Sequence, residues 1–178
     1  MKKFITLMEN YISRYPNEKK AALVLQFLKK GGDLFSNTNK EGHFTGSAWI
    51  INPQKNKVLL THHKKLNKWI QLGGHADGEK NLLSVALREA REESGIKHFT
   101  VVNNQIFDVD IHPVLNAKRQ KSHLHYDIRF LFKANPKNEK IITSKESFDV
   151  AWVPIEKISE LNPEKSLTRM IKKTILLP

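Results

Sequence analysis

Apolar residues at Phe4, Leu7, Met8, Tyr11 and Ile12 recur at helical spacing, and Pro16 closes that run. A second helix is expected over 18–30, with Leu23, Phe27 and Leu28 on its apolar side. Lys29 and Lys30 suit its negative C-terminal end, and Gly31-Gly32 form the stop. A polar stretch over 36–42 separates this pair from a chain whose period drops to two. Strands are expected over 43–51 and 57–62, joined by a turn-rich segment at 52–56, and over 69–72 up to Gly73-Gly74. A helix over 81–94 should bury Leu82, Leu83, Val85, Ala86 and Ala90 and end at Gly95. Strands near 100–112, 123–133 and 149–153 follow. The last helix is expected to open with Asn162 as N-cap and Pro163 at its first position. The order predicts a mixed α/β (α+β) domain over 43–178, a central sheet with helices packed on it, preceded by an N-terminal helical extension over 1–42.

Composition narrows the chemistry. The 178 residues suit one domain, and 39% hydrophobic with 27% charged residues is a globular mixture. The absence of cysteine excludes disulfides, thiolate-held metals and thiol nucleophiles. No apolar run approaches the ~20 residues that span a bilayer, and Glu9 and Asn10 interrupt the first apolar segment. A soluble, cytoplasmic protein with no membrane partner is the expectation. Thirty Lys+Arg against 18 Asp+Glu give a formal net charge of +12, which suits an anionic partner. Nucleic acid, a membrane surface and a phosphorylated small molecule all fit that charge. So does a lysine-rich surface with no partner, since only six of the thirty are arginine.

One segment of this basic chain is acidic: Arg88-Glu89-Ala90-Arg91-Glu92-Glu93-Ser94-Gly95-Ile96. Glu89, Glu92 and Glu93 stand at i, i+3 and i+4, so a helix places three carboxylates on one face, where they repel by a few tenths of a kcal/mol per pair. Arg88 and Arg91 could neutralise such a face as a solvated surface. A hard divalent cation, Mg²⁺ or Mn²⁺, would turn the repulsion into binding.

The glycine loop Gly73-Gly74-His75-Ala76-Asp77-Gly78 precedes that helix. Here the sequence resembles the Nudix hydrolases, whose signature reads Gly, five residues, Glu, seven residues, Arg-Glu-apolar-x-Glu-Glu-x-Gly-apolar. Gly74, Arg88, Glu89, Glu92, Glu93, Gly95 and Ile96 fall on it in register. Lys80 stands where the signature has its first glutamate, with Glu79 one place early, and Ala90 is small for the apolar position. The resemblance implies a Nudix-type α/β/α sandwich and hydrolysis of a nucleoside diphosphate linked to another moiety. It implies that Glu89, Glu93, Glu92 and the Gly74 carbonyl hold Mg²⁺ (or Mn²⁺). Glu92 then serves as a ligand or takes a proton from water, and Arg88 orients the carboxylates by ion pairing. Glu146, in the loop before the last strand, is a further candidate base, and Lys64, Lys65 and Lys68 are candidate contacts to substrate phosphates.

His123 and His125 share one strand face, Asp127 continues it, and Asp108, Asp110 and His112 alternate likewise on the preceding strand. The segments His43-Phe44-Thr45-Gly46-Ser47-Ala48-Trp49 and Gly74-His75 are similar to parts of type I isopentenyl diphosphate isomerase, which shares the Nudix-like fold and binds metal through histidines. That resemblance implies a second metal site at His43, His75, His123 and His125. The isomerase needs a catalytic cysteine, which this chain lacks. The expected function is therefore a Nudix pyrophosphohydrolase acting on a phosphorylated small molecule. An isomerase-like metalloenzyme and a non-catalytic nucleotide- or RNA-binding Nudix protein are the alternatives. The N-terminal helical pair offers a surface on which two copies could form a homodimer.

Overall fold

β1 (Gly42–Ile51) is buried along its whole length, and the other elements are arranged around it. It runs parallel to β7 (His123–Lys133), from Gly42 opposite Leu124 to Ile51 opposite Lys133. Its other edge is shared. Thr45–Ala48 pair with β4 (Leu72–His75), and Ile50–Ile51 pair with β2 (Lys57–His63). Beyond β2 lie β3 (Lys68–Ile70) and β8 (Ser147–Pro154); β7 also carries β5 (Thr100–Val101) and β6 (Asp108–Val114). Among the described residues the result is a mixed sheet of eight strands. The computed structural model describes residues 1–114 and 123–178.

The period of two along β1 and β7 sorts their side chains between two helical layers. Phe44, Ala48 and Ile50 join Ile128, Phe130 and Phe132 against α1 (Lys2–Arg14), α2 (Lys19–Lys30) and α3 (Leu82–Ser94). Trp49, Ile51 and Leu131 turn the other way. They meet Val58, Leu60, Val153 and, from α5 (Lys165–Ile175), Leu167 and Met170. This is an α/β/α sandwich. Phe4 and Met8 of α1 and Val24 and Phe27 of α2 belong to the same cluster as the sheet. Gly46 lets α3 lie close on β1, because a Cβ there would sit 2.7 Å from the Leu82 carbonyl.

Several expectations change in detail. On α2 the buried stripe is Ala21, Val24, Phe27 and Leu28, while Leu23 is 52% exposed. A 3.6-residue turn that buries 21, 24 and 28 carries 23 to the outer side. The strand expected over 100–112 is two strands, because Asn103 Oδ1 accepts the Gln105 N–H at 3.0 Å and turns the chain between them. The short strand expected over 69–72 is two strands broken at Gln71: β3 pairs with β2, and β4 continues through both glycines to pair with β1 as far as His75. The closing helix begins at Lys165 with Glu164 as N-cap. Asn162 instead ends a short helix, α4 (Ile158–Leu161). Its side chain accepts the Glu164 N–H and donates to the Trp69 carbonyl at 2.9 Å, which fixes the corner rather than opening α5.

A buried ion network ties α1, α2 and α5 to the sheet. Asp108, fully buried, accepts from Arg129, from Nε and Nη2 of Arg169 and from Lys173, at 2.7–3.1 Å. Lys173 reaches Glu18 at 2.8 Å and the Tyr11 hydroxyl at 2.6 Å. Lys20 pairs with Asp110 at 2.5 Å, and Arg129 with Asp127 at 2.7 Å. Burial opposes the Asp108 charge, but the three cations prevail and hold its carboxyl below the usual range.

Candidate active site and histidine cluster

The acidic helix α3 starts after Asn81 and ends at Gly95, presenting Glu89, Glu92 and Glu93 on one side as their spacing predicts. The three line an open cleft with Ser144 and Glu146. The carboxylates differ in their access to water. Glu93 is 9% exposed, and its Oε1 accepts the Gly73 N–H at 2.8 Å. The Glu89 side chain is 14% exposed and that of Glu92 is 59% exposed. Burial, assisted by neighbouring carboxylates, pushes Glu93 up to about 8 and Glu89 up to about 7. For the enclosed Glu93, that displacement corresponds to roughly 5 kcal/mol against the ionised form. A divalent cation would remove this cost. Carboxylate oxygens held together out of water form a donor set suited to hard Mg²⁺ or Mn²⁺.

Gly74 is essential to the arrangement. A Cβ at this position would stand 2.5 Å from the Glu89 carboxyl carbon and one of its oxygens, so the strand backbone and that carboxylate can be neighbours only without a side chain. Arg88 lies alongside. It pairs with Glu89 at 2.9 Å and Glu92 at 3.5 Å and donates to the His75 carbonyl at 2.9 Å. Its guanidinium therefore ties α3 to β4. Ser144, which sequence reading missed, has a buried hydroxyl in the cleft wall without a hydrogen-bond partner among the described residues. Nothing in its sequence context distinguishes it from any other loop serine.

The three lysines are placed unequally. Lys64 donates its backbone N–H to the Glu146 carbonyl at 3.0 Å and its ammonium to the Lys145 carbonyl at 2.8 Å, clamping the loop that carries Glu146. Lys68 pairs with Glu164 at 2.6 Å. Among the described residues, no ion pair or side-chain hydrogen bond engages Lys65.

The histidines gather on the face of β1 opposite α3. His43, on β1, stands beside His125 of β7, and His125 beside His112 of β6. The His43 ring centre lies 5.1 Å from that of His75, 4.9 Å from His123 and 4.7 Å from His125. His43 is fully buried, and neither ring nitrogen has a hydrogen-bond partner among the described residues. Burial and the neighbouring rings lower His43 to about 4 and push His125 down as well, so these two imidazoles are neutral at physiological pH. His112, noted in the sequence only as part of an alternating strand, joins the edge of this cluster 5.5 Å from the His125 ring.

The NUDIX domain family model matches residues 43–173. A probable DHNTP pyrophosphohydrolase of Lactococcus lactis subsp. cremoris (strain MG1363) is 25% identical over 121 residues, covering 66% of this chain and 70% of the relative. A solved binary complex of a C. elegans Ap4A hydrolase matches with a TM-score of 0.58 at 18% identity, over 73% of this chain and 93% of its own. A NUDIX family hydrolase from Clostridium perfringens matches with a TM-score of 0.53 at 25% identity, over 79% of this chain and 99% of its own.

Proposed function

The chain belongs to the NUDIX family and is a Nudix hydrolase, and from that premise we propose that it is a Mg²⁺- or Mn²⁺-dependent pyrophosphohydrolase. Its proposed substrate is a nucleoside diphosphate linked to another moiety. The observation that carries this reading is the cleft itself, in which Glu93 is withdrawn from water with no cation paired to it among the described residues, and Glu89 is withdrawn far enough that its pair with Arg88 does not offset its burial. Glu89, Glu93 and the Gly74 carbonyl would hold the ion, with Glu92 as a further ligand. When bound, the ion neutralises pyrophosphate oxygens and lowers the pKa of a coordinated water.

The chain's own residues do the rest. Glu92, at the open side of the cleft, and Glu146 in its wall are the carboxylates available to accept the water proton. Arg88 keeps Glu89 and Glu92 aimed together. Ser144 offers its free hydroxyl to a substrate oxygen. Lys65, with no protein partner among the described residues, is the lysine of its loop best able to meet a substrate phosphate.

The test is phosphate or pyrophosphate release from a panel holding nucleotide sugars, ADP-ribose, dinucleoside polyphosphates and dihydroneopterin triphosphate. Dinucleoside polyphosphates and dihydroneopterin triphosphate enter the panel because two of the relatives are named for them. Turnover should require the metal. Glu92→Gln and Glu93→Gln should each lower it by about 100-fold or more while the protein stays folded, since a glutamine at 93 can still accept the Gly73 N–H. Unchanged turnover in both variants would refute the assignment. RNA binding that weakens steeply with salt, without metal-dependent hydrolysis of any panel member, would favour a non-catalytic binder.

A further inference from the structure

The glycine strand β4 serves two faces of the sheet. Gly74 stands opposite Gly46 and backs the Glu89 carboxylate; His75 stands opposite Thr45 and turns toward the histidines. Consecutive residues therefore border two separate constellations, one of carboxylates and one of imidazoles. The Arg88 guanidinium bonds the His75 carbonyl and the Glu89 carboxylate together.

The imidazole constellation is a costly arrangement without a ligand. Among the described residues, both nitrogens of the fully buried His43 and Nε2 of His123 find no hydrogen-bond partner, and a buried polar group left unsatisfied is destabilising. One ligand nitrogen from each of His43, His123 and His125 falls within 4.8 Å of the others. Four-coordinate binding at ~2.1 Å places ligand nitrogens roughly 3.4 Å apart, so modest ring rotation brings the three to one centre. The Nε2 atoms of His75 and His125 are already 3.3 Å apart. Burial is graded, from the enclosed His43, through half-buried His123 and His125, to exposed His75 at the mouth. Beside them, His112 Nδ1 lies 3.8 Å from Asp110, a carboxylate that can orient its ring.

We propose that His43, His123 and His125, with His75 at the open side, form a second metal site for a borderline divalent transition ion of the Zn²⁺ class. It is distinct in place and in chemistry from the carboxylate cleft. Neutral imidazoles favour Zn²⁺, Co²⁺, Ni²⁺ or Fe²⁺ over the hard cations that suit Glu89 and Glu93. The inference does not depend on the hydrolytic reading of that cleft.

The experiment is a Co²⁺ titration of the chelator-stripped full-length protein in excess Mg²⁺, followed by ligand-field absorption and by metal analysis after desalting. One equivalent of Co²⁺ should bind with the spectrum of a nitrogen-ligated ion and be displaced by Zn²⁺. His75→Gln and His123→Gln, both partly open to solvent, should each weaken this equivalent by at least tenfold and alter its spectrum. Glu89→Gln/Glu93→Gln should leave it in place. The wild-type titration decides even where a variant is unstable, because failure to find a Mg²⁺-resistant equivalent overturns the proposal. An equivalent lost in the glutamate variant but kept in the histidine variants would overturn it as well. Loss of turnover with the Co²⁺ equivalent intact would instead bear only on the carboxylate cleft.

Discussion

At the scale of single residues, the distinctive chemistry is a set of carboxylates held ionisable but short of water. Gly74→Ala would place a methyl carbon 2.5 Å from the Glu89 carboxyl group and force that side chain aside. Metal-dependent turnover should fall by about 100-fold or more, with far less loss in thermal stability, as read by steady-state kinetics and melting on the same preparation. A pH prediction follows from Glu89 and Glu93. Both are raised from 4.5, chiefly by burial, to about 7 and about 8. A carboxyl whose folded pKa is raised contributes stability below the unfolded value that is lost as pH climbs through the folded one. Without metal these two groups should therefore cost stability progressively between pH 4.5 and about 8. The rise in melting temperature on adding Mg²⁺ should grow across the same window and nearly vanish at about pH 5.5; a shift independent of pH would exclude these two as the ligands. The three helical glutamates were legible from spacing alone, because a helix must place i, i+3 and i+4 together. Their unequal burial was not, since it depends on β4 and the loop at Ser144, which approach from distant parts of the chain. The histidine pair on β7 was legible by alternation, whereas the inclusion of His112 required the register between β6 and β7.

Among the elements, the N-terminal helices and α5 are secured by ion pairs whose partners lie far apart in sequence. Asp108 is the common acceptor for Arg129, Arg169 and Lys173. Asp108→Asn would leave these cations short of their central counter-charge in a buried setting. The expected loss is about 3–5 kcal/mol, measurable by urea unfolding as a lower midpoint with an unchanged slope. Where local signals agree, the elements were readable: α3 has a long apolar stripe and a glycine stop, and β1 has unbroken burial. Where a side chain serves tertiary structure, local rules misled. Asn162 looks like a helix N-cap, yet its amide is committed to the Trp69 carbonyl on β3, and α5 starts after it. Leu23 looks like core, yet the helix phase set by Ala21, Val24 and Leu28 leaves it outside. The alternation at Asp108 and Asp110 was visible, but its meaning depends on Arg169 and Lys173, 61 and 65 residues away.

For the whole molecule, the net charge of +12 is unevenly spread. Several cations are consumed internally: Arg129 and Lys173 are buried in the network, Arg169 is paired within it, and Arg88 is engaged at the cleft. Much of the lysine excess remains free to act at a distance, while the cleft itself carries carboxylates that repel an anion until a cation occupies them. A polyanionic substrate should then be drawn by the surface field and captured by the metal. Raising salt shortens the screening length from about 10 Å at 0.1 M to about 3 Å at 1 M. With Mg²⁺ kept saturating, kcat/KM for a substrate bearing several phosphate charges should fall roughly tenfold over that range, while kcat changes little. Reversing one charge at the right place should reduce the effect. Lys65→Glu, at a lysine that engages no protein partner among the described residues, should lower kcat/KM at low salt and flatten its salt dependence. Lys68→Glu, at a lysine already neutralised by Glu164, should do so less. If the two variants have the same salt slope as the parent, the basic surface is solvated charge with no part in capture. The excess of lysine would then be a compositional feature unrelated to the reaction.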